Sequence, residues 1–188
     1  MSDELKLHAA LDAKNEALAL RLIEEGADVN AADITGIVPL HLAVKHGLKE
    51  ATHAILRAGA PVDVANVDGV TALHLAAARS KPETFAILIE QGGDFRRSER
   101  DGWTPLHWAA YRGCTPIVKR LIELGAVIDL ADADGWTPLH LAAQQGCTDS
   151  VKALLAAGAD TALKTENGQT ASDLAVSQKR EEVIKLLR

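Results

Sequence analysis

Glycine recurs at positions 36, 69, 102, 135 and 168, always 33 residues apart, and each one opens a related phrase. The fullest copies are Gly102-Trp103-Thr104-Pro105-Leu106-His107-Trp108-Ala109-Ala110 and Gly135-Trp136-Thr137-Pro138-Leu139-His140-Leu141-Ala142-Ala143. Weaker copies begin at Gly36 and Gly69, and a last echo runs from Gly168 to Asp173. A fixed period of this length implies a stacked array of small units, each burying its apolar face against its neighbours. Leu7-His8-Ala9-Ala10 stands one period before Leu40-His41-Leu42-Ala43, so a degenerate first unit covers 1–33, with Asp3 where the turn glycine would be.

Each unit carries its own helix signals. Thr104 is placed to cap a helix and Pro105 to occupy its first position, where no N–H is needed. The spacing predicts about two helical turns, to Tyr111 or Arg112, with Gly113 as the break. Thr115-Pro116 reads as the same cap-then-proline device for a second helix, with Ile117, Val118, Leu121 and Ile122 on one face. Gly125 ends that helix, and Gly26, Gly59, Gly92 and Gly158 stand at the matching place. Asp68-Gly69, Asp101-Gly102, Asp134-Gly135 and Asn167-Gly168 read as turns. In the third unit Ser80 replaces the inter-helix glycine and Pro82 follows, which predicts an altered loop. The last unit exchanges Leu-His for Ser172-Asp173 and ends in a charged segment, as a polar C-terminal cap would. With aromatics at only 3%, the core must come from Ala, Leu, Ile and Val, which suits thin, closely packed helices.

Gly-x-Thr-Pro-Leu-His, the inter-helix glycine and Gly26-Ala27-Asp28-Val29-Asn30-Ala31 recur in one register over essentially the whole chain, and in this the sequence resembles the ankyrin repeat family. The resemblance implies an all-α solenoid of helix-turn-helix units with projecting β-turn loops. It gives one domain over 1–188, with repeats near 1–33, 34–66, 67–99, 100–132, 133–165 and 166–188, about five and a half in all. With about 10 Å per packed layer, the array would be on the order of 60 Å long. The family also suggests Asn30, preceded by Leu22, Asp28 and Val29, as a target of asparaginyl hydroxylases; the plainer reading has Asn30 bonding the loop backbone.

The residues that look chemical have architectural readings. His8, His41, His74, His107 and His140 share one repeat position, too far apart to share a zinc with bonds near ~2 Å, and are expected to brace the adjoining turns. His46 and His53 read as isolated surface residues. Asp68, Asp101 and Asp134 read as turn chemistry rather than catalytic carboxylates. Cys114 and Cys147 lie one repeat apart at the entrances to second helices, beyond the ~7 Å that a disulfide allows, and read as inert free thiols in a reducing compartment. No nucleophile elbow, phosphate loop, dinucleotide pattern or zinc-protease motif occurs, so no enzyme activity and no cofactor or metal are expected. The net charge of −6 argues against nucleic acid as a partner. No signal core or membrane-spanning run is visible, and the expectation is a monomer in the cytoplasm or nucleus.

Framework positions keep their residue type from repeat to repeat. Those left free are the two before the turn glycine, the one after it, and the two before the inter-helix glycine. By the family's geometry they face the concave groove. They include Arg79, Arg100, Trp103, Tyr111, Arg112, Trp136, Gln144 and Gln145, which are the candidate partner-binding residues. Trp, Tyr and Arg dominate binding hot spots. Residues 95–120 carry six Lys or Arg against Glu99 and Asp101, a local charge of +4 in an acidic chain. The reading that follows is a non-enzymatic protein-interaction module gripping an extended or loop segment with acidic and apolar groups. Trp103 and Trp136 could instead stiffen the array by packing against each other or neighbouring loops, and Trp108, replacing a framework Leu, should be partly buried. An engineered or reconstructed scaffold with no natural partner is the alternative. Ser80-Lys81-Pro82, Val38, Arg96-Arg97 and the two cysteines speak against a plain consensus design.

Overall fold

The computed structural model describes residues 5–188, so Asp3 lies outside the described residues. The chain forms two compact units, one ending at Asp94 and one running from Phe95 to Arg188. The described residues of the first hold six helices: α1 (Lys6–Asp12), α2 (Glu16–Glu24), α3 (Pro39–His46), α4 (Lys49–Arg57), α5 (Ala72–Ala78) and α6 (Pro82–Glu90). The second holds α7 (Pro105–Arg112), α8 (Thr115–Glu123), α9 (Pro138–Gln145), α10 (Thr148–Ala156), α11 (Ala171–Ser177) and α12 (Glu181–Leu186). The pairs α1/α2, α3/α4 and α5/α6 are the expected helix-turn-helix repeats, as are α7/α8, α9/α10 and α11/α12. No strand forms among the described residues, only an isolated bridge between Ala65 and Thr71. No described helix is long and apolar enough to cross a membrane.

Within each unit like packs on like. The first helices α1, α3 and α5 stack in one row and the second helices α2, α4 and α6 in another; α7, α9, α11 and α8, α10, α12 do the same. In each unit the row of first helices packs closely because one register position is a buried alanine, Ala10, Ala43 and Ala76 in the first and Ala109, Ala142 and Ala175 in the second. Leu40, Leu73, Leu106 and Leu139 fill the same row, and Ile55, Leu88, Leu121 and Leu154 the other. Each such Leu truncated to Ala would cost roughly 2–5 kcal/mol, through lost burial and the cavity left behind.

The first helices start where expected, with Thr71, Thr104, Thr137 and Thr170 as N-caps and Val38 in the same place, but only the Thr137 and Thr170 hydroxyls accept a helix N–H, while those of Thr71 and Thr104 pair with the histidine Nδ1. The second helices do not. Cys114 caps α8 and Cys147 caps α10, each without a side-chain bond. Thr115 is already helical, and its hydroxyl lies 3.1 Å from Ser150 Oγ, tying α8 to α10. A side-chain cap is dispensable there because the preceding loop is pinned by its own backbone: Cys114 N–H donates to Ala109 O at 2.9 Å.

The altered loop expected at Ser80 does not occur. Ser80 adopts φ 51°, the left-handed conformation that Gly113 takes at φ 65°. Its loop keeps the same bonds, Ser80 N–H to Ala77 O and Lys81 N–H to Ala76 O. Lys14 and Lys179 do likewise at φ 56° and 55°. Two helix-ending bonds and a buried neighbourhood outweigh a left-handed penalty of roughly 1–2 kcal/mol. At Gly113 tolerance is lower, since an added Cβ would stand 2.7 Å from Cys147 Sγ. Ser80→Gly is therefore expected to raise stability by about 0.5–1 kcal/mol, the relieved strain exceeding the entropy lost by glycine. Gly113→Ala should lower it by roughly 1–3 kcal/mol. Urea midpoints of the two variants against the parent check both signs.

Candidate functional site

The projecting loops are built by a short hydrogen-bonded turn. In each, the glycine N–H donates to the carbonyl three residues back: Gly36 to Asp33, Gly69 to Asn66, Gly102 to Glu99, Gly135 to Asp132 and Gly168 to Thr165. The same residue then donates its N–H one position beyond the glycine, as Asp132 does to Trp136 O at 2.9 Å. That is a three-residue hairpin closed by a left-handed glycine. The side chain that holds it differs from the one the sequence suggested. Asp132 Oδ1 accepts the N–H groups of Asp134 and Trp136 at 3.0 and 2.8 Å, and Asp33 and Asn66 do the same in their turns. The carboxylates of Asp101 and Asp134 take no part in the turn and sit exposed at its tip. Successive tips are joined by backbone, Ala133 N–H to Asp101 O at 3.2 Å and Glu166 N–H to Asp134 O at 3.0 Å. A Cβ at Gly135 would meet Glu166 N at 3.0 Å, so the glycine serves this approach as well as its φ of 78°.

The histidine ladder fixes each turn to the helix before it. His107 Nδ1 accepts the Thr104 N–H at 3.1 Å and the Thr104 hydroxyl at 2.9 Å, which leaves the proton on Nε2. Nε2 then donates to Trp136 O in the next repeat at 3.2 Å. His140 bridges Thr137 to Leu163 O, and His41 bridges Val38 to Val70 O. Asp173, in the histidine's place, accepts the Thr170 N–H and hydroxyl with its carboxylate. Burial pushes His41, His107 and His140 below the ordinary imidazole value, so they are held neutral. His46 is not isolated: its Nε2 and Lys45 Nζ both meet Asp12 Oδ1, at 3.1 and 3.2 Å, and the His46 bond above all draws the Asp12 carboxyl down. Asn30 donates its backbone N–H to Asp28 Oδ1, while its exposed side chain makes no hydrogen bond; the bracing expected of that side chain comes from Asp28. Cys114 and Cys147 are free, and burial raises the Cys147 thiol.

On this frame the second unit opens a cleft of about 520 Å³. Trp103, Trp108 and Tyr111 line it from one repeat and Trp136, Leu141 and Gln144 from the next. Glu99, Asp101, Asp132 and Asp134 complete the lining, which holds four carboxylates and no basic residue. Trp103 is half-buried rather than exposed. Its ring lies 4.5 Å from Trp108 and 5.5 Å from Tyr111, tilted about 60° to each, and Trp108 meets Tyr111 edge-on at 6.3 Å. Trp103 Nε1 donates to Asp132 Oδ2 at 2.7 Å, so one aspartate holds both its own turn and the indole of the preceding repeat. Each aromatic pair contributes about 0.5–1.5 kcal/mol beyond its burial. Trp136 stands apart from this cluster, against His140 at 6.3 Å. Trp108 is partly buried, its indole nitrogen fully so and without a hydrogen-bond partner among the described residues.

The cleft thus gathers Trp103, Tyr111, Trp136 and Gln144 of the eight candidate residues. Arg100 and Arg112 are exposed outside its lining, Gln145 is half-buried outside it, and Arg79 caps α5 in the other unit. Sequence reasoning missed Trp108, Leu141, Glu99 and Asp132 as lining residues, since the first two sit at framework positions and the others at the bases of turns, and it read Asp101 and Asp134 as turn chemistry. The family of ankyrin repeats (three copies) matches over residues 7–99, 40–132, 80–165 and 128–188. No curated protein matches the chain.

The lowered histidines set a pH dependence. An imidazole whose folded pKa lies below its unfolded value near 6.5 stabilises the fold fully above that value, and the contribution is lost as pH falls through it. The thermal midpoint should be level from about pH 8 to 7 and fall between about pH 6.5 and 5. Calorimetry across that range checks this, and His107→Gln should flatten part of the fall while lowering the midpoint at pH 8.

Proposed function

Because the chain belongs to the ankyrin repeat family, whose members are generally protein-interaction modules, we propose that it is a non-enzymatic module holding an extended or loop segment of a partner polypeptide in the cleft of its second unit. The observation that carries this is the cleft itself, in which Trp103, Trp108, Tyr111 and Trp136 present half-buried rings to an open space of about 520 Å³. Aromatic side chains in a part-desolvated recess are what binding hot spots are made of. The lining favours apolar and basic groups on the partner, in place of the acidic ones that the basic window 95–120 suggested. Arg112, exposed beyond the lining, is placed for an acidic group flanking the segment, and Arg79, Arg100 and Gln145 stay outside the proposal. The two unbridged cysteines fit a reducing compartment, cytoplasm or nucleus.

Trp103 is tied into the fold through Asp132, so its removal would confuse binding with stability. Tyr111→Ala with Trp136→Ala tests the cleft more cleanly. Affinity capture from cell extract should recover a partner with the parent chain and lose it, about tenfold or more, with the double variant. The variant should still unfold cooperatively, with its midpoint lowered by no more than several degrees. Equal capture by both chains would remove the cleft from the interaction, and capture of nothing by either would favour the scaffold alternative.

A further inference from the structure

Resting on the interaction reading, we propose that the cleft of the second unit receives an alkylammonium group, the side chain of a lysine, unmodified or methylated, on the partner segment. Two walls face the space. Trp103, Trp108 and Tyr111 form one, their rings 4.5 to 6.3 Å apart and steeply inclined, so that they present both faces and edges. Trp136 and Leu141 belong to the other. Aromatic faces carry negative charge density and attract a cation within about 6 Å of the ring centre, most strongly where water is excluded. A lysine also brings a four-carbon stem that an apolar wall can cover while its head stays near carboxylates.

The carboxylates supply the sign. Asp132 is committed, with Oδ1 on two backbone N–H groups and Oδ2 on Trp103 Nε1. Asp101 and Asp134, on neighbouring turn tips, are exposed, and their carboxylates have no hydrogen-bond or ion-pair partner among the described residues. Glu99 is half-buried beside them, and no lysine or arginine is among the residues that line the space. An anionic occupant would meet this charge unfavourably, and a neutral one would gain nothing from it. A hard metal ion would need six or more oxygens at about 2.3–2.6 Å, which a wall of rings does not offer. The two available carboxylates stand on separate tips rather than as one fork, an arrangement that suits a compact point charge better than the planar, bidentate guanidinium of arginine.

The test uses the full chain labelled with nitrogen-15, whose three tryptophans give three indole N–H signals. Nα-acetyl-lysine methylamide, its Nε-trimethyl form, its Nε-acetyl form and the arginine analogue are titrated separately. The lysine and trimethyl-lysine probes should shift the Trp103 and Trp136 signals saturably, their relative affinities telling the unmodified from the methylated source. The uncharged acetyl probe should bind at least about tenfold more weakly, and the lysine response should weaken as salt is raised. Asp101→Asn with Asp134→Asn, both at exposed tips, should cut lysine affinity about tenfold with the spectrum otherwise unchanged. No response to either alkylammonium at about 100 mM, equal response to the acetyl probe, preference for arginine over both, or undiminished affinity in the double variant would each overturn the proposal. Partner capture that depends on Tyr111 and Trp136 without any lysine response would leave the interaction reading standing and remove only the lysine. A lysine response without partner capture would do the reverse.

Discussion

His41, His107 and His140 each do two jobs with one ring, and the stacking depends on both. Nδ1 of His107 receives the first N–H of its own helix, and Nε2 gives its proton to the carbonyl of Trp136 in the next repeat. The first bond makes the second possible, because an acceptor at Nδ1 selects the tautomer with the proton at Nε2. Protonation would break the scheme by turning Nδ1 into a donor against two other donors, and burial keeps that state unfavourable. Where the ring is absent, Asp173 reproduces only the first half: its carboxylate takes the Thr170 N–H and hydroxyl but has no proton to pass on.

The turns need a second device, since a carbonyl held at one point can still swing. Asp132 provides it by accepting two N–H groups inside its own turn, and the tips then join through Ala133 to Asp101 and Glu166 to Asp134. In the second unit the loop surface is therefore held from below by imidazoles and along its crest by backbone. A side chain placed on such a surface has few ways to move, and so a recess between two loops can be a defined shape.

Much of this was legible in the sequence, and the reason is periodicity. A helix start, a break and a buried face repeated at 33-residue spacing leave one architecture, and the helix pairs appear at their expected places. What failed to show was whatever the repeat does not spell consistently. The residue at the base of the turn is Asp33, Asn66, Glu99, Asp132 and Thr165 in successive repeats, five positions with no common letter, whereas the conspicuous Asp-Gly pairs have their aspartates at the tip. At Ser80 the rule misled in the other direction: the loop's backbone bonds dictate a left-handed residue there, and serine complies. Charge was misread for a related reason. A window over 95–120 sums to a positive value, but the cleft collects Glu99 and Asp101 from one loop and Asp132 and Asp134 from the next. Side chains separated by one repeat in sequence are neighbours in space, and a contiguous window cannot add them together.

The cleft is an addition to the repeat rather than a consequence of it. A leucine at position 108, as the neighbouring repeat has at Leu141, would satisfy the core; tryptophan there instead gives Trp103 a ring to lean on and leaves a buried indole nitrogen without a partner. Leaving such a donor unpaired costs roughly 1–3 kcal/mol, which packing alone does not require. Trp103 in turn draws on Asp132, the one residue that the adjacent turn cannot spare. Three separate departures converge on one recess: an aromatic at a free position, an aromatic at a framework position, and an aspartate whose second oxygen reaches back to the preceding repeat. Stiffening would be served by Trp103 and Asp132 alone. The rings of Tyr111 and Trp136, which make no hydrogen bond to that pair and line the open side, are better explained by something that enters between them.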